Sequence, residues 1–505
     1  MNTRFPNKNY DLLVIGGGIN GAAIANIAAA AGARVALVEK GDWAGGTSSK
    51  STKLLHGGIR YLENFEFGLV AESLKERFIQ WKSAPHLVKP MRFIVPVYRA
   101  QGRPFWMMKL GVWLYERLSG AYSLGPHAVL SKEEVERLAP GIKAEGLLGG
   151  VSYFDAQMDD ARLCLENVLM AQKRGADVAN YVEAVEFLKE NGHAVGMRLR
   201  DTVSGGSFNV RADKIIVAAG PWSDIVRHTD MPAAQARLRP TKGVHIVCRI
   251  DGEVPADAFL LQNLRDKRIF FTIPFKGNVL IGTTDTDFKK APENVRVEQS
   301  DVDYLLNEAR ANFPARGLTQ DHIIAAFAGV RPLVYEPGSP SKVSRRHVIE
   351  RNSSGVYYVM GGKYTTYRAI ALECVALVLP RLARHVPATE DYMLYGSGLG
   401  NPDMKSIALR YAVEAQTINY LVSVYGSRFE DVLKLTQTDP SLKAAICTCS
   451  KAIRAQVVYA LQTEMARTPA DIFERRLELG YNNCLTKQCR QVIERMLLSG
   501  IIKHV

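Results

Sequence analysis

The hydrophobic pattern divides the chain into two regimes. Through the first three-quarters, apolar runs of strand length recur: Asp11-Leu-Leu-Val-Ile15, Arg34-Val-Ala-Leu-Val-Glu39, Arg92 to Tyr98, Lys214-Ile-Ile-Val-Ala-Ala219, Val244 to Ile250 and Val356 to Met360. Uninterrupted runs of this kind suit strands buried on both faces. Arg268 to Phe275 and Asn278 to Thr284 flank Lys276-Gly277, the signal of a tight hairpin. A helical period begins near Glu66, where Phe67, Val70, Leu74, Phe78 and Trp81 share one face and Pro85 marks the end. After about Pro387 the strand signal stops. The glycine-rich connector from Tyr395 to Pro402 leads into a stripe of Ile407, Tyr411, Ile418, Leu421 and Tyr425 that stops at Gly426. Ile453, Val457 and Leu461 form a second stripe. Thr468-Pro-Ala-Asp471 then combines a capping threonine, a first-turn proline and an acid at the third position, opening a helix that Gly480 ends. The pattern predicts an α/β region followed by a small helical domain, with no repeat.

The first two apolar runs are joined by Gly16-Gly-Gly-Ile-Asn-Gly21 and an alanine-rich helix. Gly16 permits the tight strand-to-helix turn, Gly18 keeps side-chain bulk away from a pyrophosphate, and Gly21 lets the helix sit close on the strand. The amides and positive dipole end at the helix start attract phosphates. Glu39, 18 residues after Gly21, ends the second strand where its carboxylate can accept bonds from a ribose. Strand, glycines, helix, second strand and terminal acid together point to a dinucleotide, with NAD and FAD equally open at this stage.

Length and composition narrow the class. At 505 residues the chain needs two or three units, and 47% hydrophobic with 23% charged residues is ordinary for a globular enzyme. The net charge of +13 favours anionic partners, yet no zinc finger or aromatic–basic pattern accompanies it, so nucleic acid is not expected. Met1 to Tyr10 lacks the apolar core of a signal peptide, and the alanine helix is broken by Asn26, so a cytoplasmic protein without a span is expected. Cys164, Cys248 and Cys374 sit singly in apolar contexts. Cys447, Cys449, Cys484 and Cys489 cluster, but C-x-C and C-x4-C spacings lack the usual C-x2-C pairing, so packing cysteines and no metal are expected.

Three further segments carry chemistry. Thr47-Ser-Ser-Lys-Ser-Thr-Lys53 places five hydroxyls besides two lysines just beyond the second strand. Ala218-Ala-Gly220 ends an apolar strand in small residues, as where a dinucleotide excludes bulk. Gly361-Gly-Lys363 follows a strand and precedes a helix, repeating the anion-binding logic of the first glycine turn.

These residues, in order, resemble the FAD-dependent glycerol-3-phosphate dehydrogenases, within the D-amino-acid-oxidase-like flavoproteins. The resemblance rests on Gly16 to Gly21, Thr47-Ser-Ser49, Lys53-Leu-Leu-His-Gly-Gly-Ile-Arg-Tyr-Leu-Glu63, Ala84-Pro-His-Leu87, Lys242-Gly-Val-His245, Ile281-Gly-Thr-Thr-Asp285, Gly329-Val-Arg-Pro-Leu333 and Gly361-Gly-Lys-Tyr-Thr-Thr-Tyr367. Tyr459 to Gly480, with Asp471 and Arg475-Arg476, resembles that family's helical cap. The fold implied is a Rossmann-like FAD-binding domain interleaved with an antiparallel-sheet substrate domain, plus a C-terminal all-helical cap. FAD-binding segments are expected at about 8–90, 150–235 and 345–385, and substrate-binding segments at about 91–149 and 236–344, within an oxidoreductase region spanning 1–387. The helical domain is expected over 400–505.

The resemblance implies oxidation of sn-glycerol 3-phosphate at C2 to dihydroxyacetone phosphate, with hydride transfer to noncovalently held FAD and reoxidation by a quinone. Arg331 and Arg345 match the family's phosphate arginines, with Arg346 an added neighbour that could serve instead, and guanidinium forks suit a phosphate dianion. His245 matches the histidine beside the substrate, and a neutral imidazole suits removal of the hydroxyl proton. Arg60 and Lys363 are expected to stabilise developing negative charge, with Tyr61 and Thr284 as polar substrate contacts. The cofactor residues expected are Gly16, Gly18, Ile19, Gly21, Glu39, Lys40, Thr47, Ser48, Ser49, Lys53, Leu54, His56, Ala219, Gly220, Gly361, Gly362, Lys363 and Thr365. Since quinones sit in the bilayer, the aromatic and basic Pro104 to Leu118 reads either as an interfacial helix on an anionic membrane, making the protein peripheral on the cytoplasmic face, or as a packed helix over the substrate domain. A homodimer stays open. The alternatives are an oxidase passing electrons to O2 to give H2O2, a related amine-oxidising flavoenzyme, and a flavin-fold binding module without turnover. Oxidases of the family tend to carry a large insertion that the chain lacks.

Overall fold

The computed structural model describes residue 5 and residues 9–99, 103–263, 268–335, 346–482 and 487–498. Among these, the α/β region is built on two sheets. The eight-stranded sheet has the parallel strands Tyr10–Ile15, Val35–Glu39, Asp177–Asn180, Ser207–Val217 and Tyr357–Gly361, with His347–Arg351 antiparallel at one edge. Tyr10–Ile15 lies between Val35–Glu39 and Ser207–Val217, so Ile15 is level with both Val38 and Val217. The chain ends of three strands therefore meet at one edge, the place where doubly wound sheets bind ligands.

The helix Ile19–Ala30 is buried almost all round, packed against the helices Asp160–Lys173 and Tyr367–Val378 as well as the sheet. Its alanines permit that close approach. Asn26, the residue that interrupts the apolar run, is buried with its amide donating to Asn167 and its carbonyl oxygen accepting from Arg174.

The ten-stranded second sheet is mostly antiparallel. Leu238–Cys248 is its pivot, flanked by Asn278–Gly282 and Ile323–Val334. The expected hairpin forms between Ile269–Phe275 and Asn278–Gly282, with Lys276 and Gly277 both at positive φ, the turn whose twist matches paired strands. The return to the first sheet comes after Met158, not near residue 150, because Leu147–Met158 pairs along its length with Val88–Tyr98.

The C-terminal region is helical around its own core, in which Ile418, Leu421, Val432, Leu433 and Val457 are wholly buried. The stripe from Ile407 to Tyr425 is two helices, Met404–Tyr411 and Ala415–Tyr425, because Ala412 turns left-handed between them. Thr468 and Asp471 exchange capping bonds as expected, but the helical segment they open ends at Arg476, and Glu478 at positive φ turns the chain before Gly480. Among the described residues no helix is long and apolar enough to cross a membrane.

Candidate active site

A cavity of about 610 Å³ opens at the carboxyl edge of the first sheet. Of the expected cofactor residues, Gly16, Gly18, Ile19, Glu39, Lys40, Thr47, Ser48, Ala219, Gly220, Gly361, Gly362 and Lys363 line it. Gly16 adopts a φ of +111°, and a methyl group there would meet the Ala218 carbonyl oxygen at 2.5 Å. The backbone of residues 218–219 thus leaves no room for a side chain at the turn. The Glu39 carboxylate is oriented by two backbone amides, Gly17 N–H at 2.7 Å and Gly41 N–H at 2.9 Å. Ser48 Oγ accepts from Ile19 N–H at 2.9 Å, and Thr47 Oγ1 donates to the Val330 carbonyl at 2.6 Å. The hydroxyl segment therefore ties the helix start to the second sheet.

Six expected cofactor residues stand elsewhere. A methyl group on Gly21 would collide with the Gly16 carbonyl at 1.9 Å, so this glycine serves helix–strand packing. Ser49 is buried, and Leu54 belongs to the short strand Leu54–Leu55 paired with Ala156 and Gln157. His56 N–H donates to Thr365 Oγ1, whose hydroxyl in turn faces the His56 carbonyl, which locks the turn after Tyr357–Gly361 onto that strand. Lys53 sits at positive φ, which turns its side chain inward to Asp160 at 2.5 Å and Glu478 at 3.0 Å, fully buried. Burial opposes its charge, but the two carboxylates outweigh burial and hold the ammonium above the usual lysine range. Composition marks such a loop as polar without showing which way each side chain points.

Two further wall residues stand outside the expected cofactor set. Trp222 lies under the Lys40 ammonium, 4.4 Å from the ring centre, and Arg475 reaches the cavity from the C-terminal region. Arg475 and Arg476 both bind the buried Asp42 carboxylate, at 2.7 and 2.8 Å, which fastens the helical region to the loop after Val35–Glu39.

The second sheet carries the expected substrate residues His245, Thr284 and Arg331. Side chains alternate along strands, so Thr241, Gly243 and His245 share one face of Leu238–Cys248. In the observed register they face Arg331, Gly329 and Phe327 respectively. A methyl group on Gly243 would lie 2.3 Å from Arg331 Nη2, so the guanidinium is folded over this glycine towards His245. Arg331 Nη1 donates to Asp285 at 3.0 Å, and Nη2 donates to the Thr283 hydroxyl at 2.7 Å and the Thr284 carbonyl at 3.1 Å. The Thr284 hydroxyl itself is buried, accepting from Val244 N–H. A Gly243→Ala variant is expected to displace the guanidinium and lower kcat/KM on the order of 10²-fold, chiefly through KM, with FAD content unchanged. Steady-state kinetics beside flavin quantification checks this.

His245 is 2% exposed, stacked on Phe327 at 5.0 Å between ring centres, with Nε2 3.0 Å from the Thr52 hydroxyl. Gly282 makes room for it, since a methyl group there would meet its Cδ2 at 2.1 Å. Burial, then the nearby Arg331 and Lys53 charges, push its pKa down from 6.5 to about 3, so the imidazole is neutral. Its Nδ1 is buried without a hydrogen-bond partner among the described residues. Lys363 Nζ lies 3.9 Å from the Tyr61 ring centre, while Arg60 is exposed on Ile59–Asn64 and does not line the cavity. Arg345 lies outside the described residues.

The family model for FAD dependent oxidoreductases matches residues 11–372, and that for the C-terminal domain of alpha-glycerophosphate oxidase matches 387–497. The chain is 39% identical over 495 residues to a glycerol-3-phosphate dehydrogenase of Synechocystis sp., covering 94% of this chain and 89% of that one. The chain belongs to the FAD-dependent glycerol-3-phosphate dehydrogenase and oxidase family. An aerobic glycerol-3-phosphate dehydrogenase of Staphylococcus aureus is 35% identical over 493 residues, 94% of this chain and 88% of the other. Among solved structures, the Bacillus halodurans glycerol-3-phosphate dehydrogenase complexed with FAD superposes with a TM-score of 0.81 at 30% identity, covering 99% of this chain and 92% of that one. The L-alpha-glycerophosphate oxidase of Mycoplasma pneumoniae, at 19% identity and TM-score 0.58 over 74% of this chain and 95% of that one, shares the fold.

FAD is accordingly the cofactor, and the residues present fit it. The glycine turn, the oriented Glu39 carboxylate and the Gly361-Gly362-Lys363 turn converge on a single cavity from distant parts of the chain.

Proposed function

We propose that the chain oxidises sn-glycerol 3-phosphate at C2 to dihydroxyacetone phosphate and passes the electrons to a quinone. The observation that carries this reading is the Arg331 guanidinium laid over Gly243 beside a neutral, buried His245 on the same sheet face. When bound, FAD supplies the hydride acceptor.

Arg331 presents a planar fork to the substrate phosphate, with its orientation set by Asp285, Thr283 and the Thr284 carbonyl. A dianion beside Arg331 offsets part of the positive charge that depresses His245, so substrate binding itself makes the imidazole more basic. With Nε2–H donating to Thr52, the lone pair on Nδ1 is left to take the C2 hydroxyl proton. Lys363, at the cavity wall, stabilises negative charge that develops on the substrate oxygen. Anaerobic addition of glycerol 3-phosphate is expected to bleach the flavin. Persistent oxidised flavin under saturating substrate would overturn the assignment.

Support for a quinone comes from the surface. Trp106, Leu110 and Trp113 lie exposed on one face of Phe105–Ser119, beside exposed Phe65 and Phe67. Lys109 and Arg117 lie over Phe105 and Trp113, the mixture of basic and aromatic groups that suits an anionic bilayer surface. Vesicles containing anionic lipid are expected to co-sediment the protein and a Trp106→Ser/Trp113→Ser variant less. Equal indifference of both proteins to the vesicles would remove the membrane reading. In air, reduction of a ubiquinone analogue with little peroxide is expected; peroxide equal to substrate consumed would assign an oxidase instead.

A further inference from the structure

A disulfide in the C-terminal helical region touches two free thiols. Cys449 is disulfide-bonded, whereas Cys447 and Cys489 are free. Cys449 Sγ lies 3.3 Å from that of Cys447 and 3.7 Å from that of Cys489. The cysteine bonded to Cys449 lies outside the described residues, as does Cys484, and the inference rests on the three sulfurs inside them. Cys164, Cys248 and Cys374 are free thiols packed in the apolar cores of the α/β region, so the chain has no general framework of bridges. A thiolate exchanges with a disulfide by attacking one of its sulfurs directly. Reacting atoms about 3–3.5 Å apart are in near-attack range, which Cys447 occupies and Cys489 stands just beyond. Burial, then Cys489, pushes the Cys447 thiol up to about 11, which leaves about 10⁻⁴ of it as thiolate at pH 7. Held contact corresponds to effective molarities of about 10⁵–10⁸ M, so proximity outweighs the scarcity of thiolate.

The two exchange products constrain the fold differently. Cys447 and Cys449 lie in the loop whose ends Ala445 and Ile453 pair before the helix Arg454–Gln462, and Cys489 is wholly buried on Lys487–Leu498. A bond between Cys447 and Cys449 closes a ring within that loop and leaves the last described helix free. A bond between Cys449 and Cys489 spans 40 positions and clamps that helix to the loop. The same helix packs against Asp471–Arg476, whose Arg475 and Arg476 bind Asp42 at the cofactor cavity. The choice of bonded sulfur therefore sets how firmly one wall of that cavity is held. Cys449 is exposed and borders a cavity of about 510 Å³ between the helical region and the α/β region, so a reductant reaches it from solvent. We propose that Cys449 is a reversible redox site, whose disulfide exchanges with Cys447 and Cys489 and is opened by a dithiol reductant. In the internal step a thiolate bonds to Cys449 Sγ, the existing S–S bond breaks, and the departing sulfur takes the proton that the attacking thiol lost. Nothing is oxidised or reduced overall. In the external step the dithiol gives two electrons and two protons to the S–S bond and becomes a disulfide itself.

The test uses the FAD-loaded full chain isolated in air, equilibrated with a trace of dithiothreitol, quenched in acid, alkylated and digested without reduction. Mass spectrometry is expected to find Cys449 bonded to Cys447 in one fraction and to Cys489 in another. Excess dithiothreitol should convert all three to alkylated thiols. Cys489→Ser should leave only the Cys447 product and Cys447→Ser only the Cys489 product. Should either variant fail to fold, the peptide map of the parent decides. FAD release on dilution is expected to be several-fold faster from the dithiol-reduced protein than from the oxidised one. A single unchanged bond at Cys449 after equilibration, or a free Cys449 thiol in the protein isolated in air, would overturn the exchange. Equal FAD release from the two forms would overturn its link to the cofactor wall. None of these measurements uses turnover of glycerol 3-phosphate, so their failure is distinguishable from failure of the proposed activity.

Discussion

Replacing His245 by alanine is expected to lower turnover with glycerol 3-phosphate by roughly 10²–10⁴-fold, the usual contribution of a positioned proton acceptor. FAD should remain bound, because His245 does not line the cofactor cavity. The pH dependence sharpens the test. Burial, Arg331 and Lys53 together hold the imidazole pKa at about 3 instead of 6.5, so kcat/KM of the parent should show no histidine inflection near 6.5. In kcat, which reports the complex, the inflection should move upward, because bound phosphate offsets Arg331. The depression also has a stability consequence. The unfolded chain binds this proton more tightly than the native one, so the contribution of a neutral His245 is full above 6.5 and is lost as the pH falls towards 3. Turnover of the alanine variant within a few-fold of the parent would remove His245 from the mechanism.

The second large effect concerns the joint between the two regions. Asp42 is almost wholly buried and accepts from Arg475 Nε, Arg476 Nη1 and Arg476 Nη2, while Arg476 also donates to the Glu464 carbonyl. Burial disfavours its charge, but the paired guanidiniums overcome this and hold the carboxyl below the usual range. An Asp42→Ala change leaves two buried cations without their shared carboxylate, which should cost about 3–5 kcal/mol. The loss should also loosen FAD, since Asp42 and Arg475 line its cavity. Denaturant unfolding with and without added FAD measures both effects. Removing the exposed Asp11–Arg34 pair through Arg34→Ala should leave the midpoint unchanged, because water already screens that pair. Equal behaviour of the two variants would show that Asp42 does not hold the joint.

Much of the framework was legible in the residues. Gly16, Gly18 and Gly21 between apolar runs specified strand, turn and helix, because φ/ψ freedom and periodic burial act locally. Lys276-Gly277 specified its hairpin for the same reason. The substrate face was partly legible: Arg331 and His245 were marked by the family motifs, but their adjacency depends on a register pairing Thr241 with Arg331. Gly243 and Gly282 were written in those motifs without the reason, which is the volume that Arg331 and His245 occupy.

Other features had no local cause. The polar run from Thr47 to Lys53 looked uniform, yet Ser48 meets the helix start while Lys53 is turned into a buried ion cluster. Asp42 lies two residues past a strand and gains its role from arginines more than 400 positions away. Cys449 and Cys489, 40 positions apart, are neighbours only through the packing of the last described helix.

By itself the sequence determined the kinds of element, the dinucleotide turn and the family chemistry, since backbone sterics and hydrophobic period operate over a few residues. Only the tertiary structure decided which polar side chains face the cavity, which are buried in ion clusters and which sulfurs meet. Those outcomes depend on burial and charge contributed by segments hundreds of residues apart, and no local pattern encodes the distance between them.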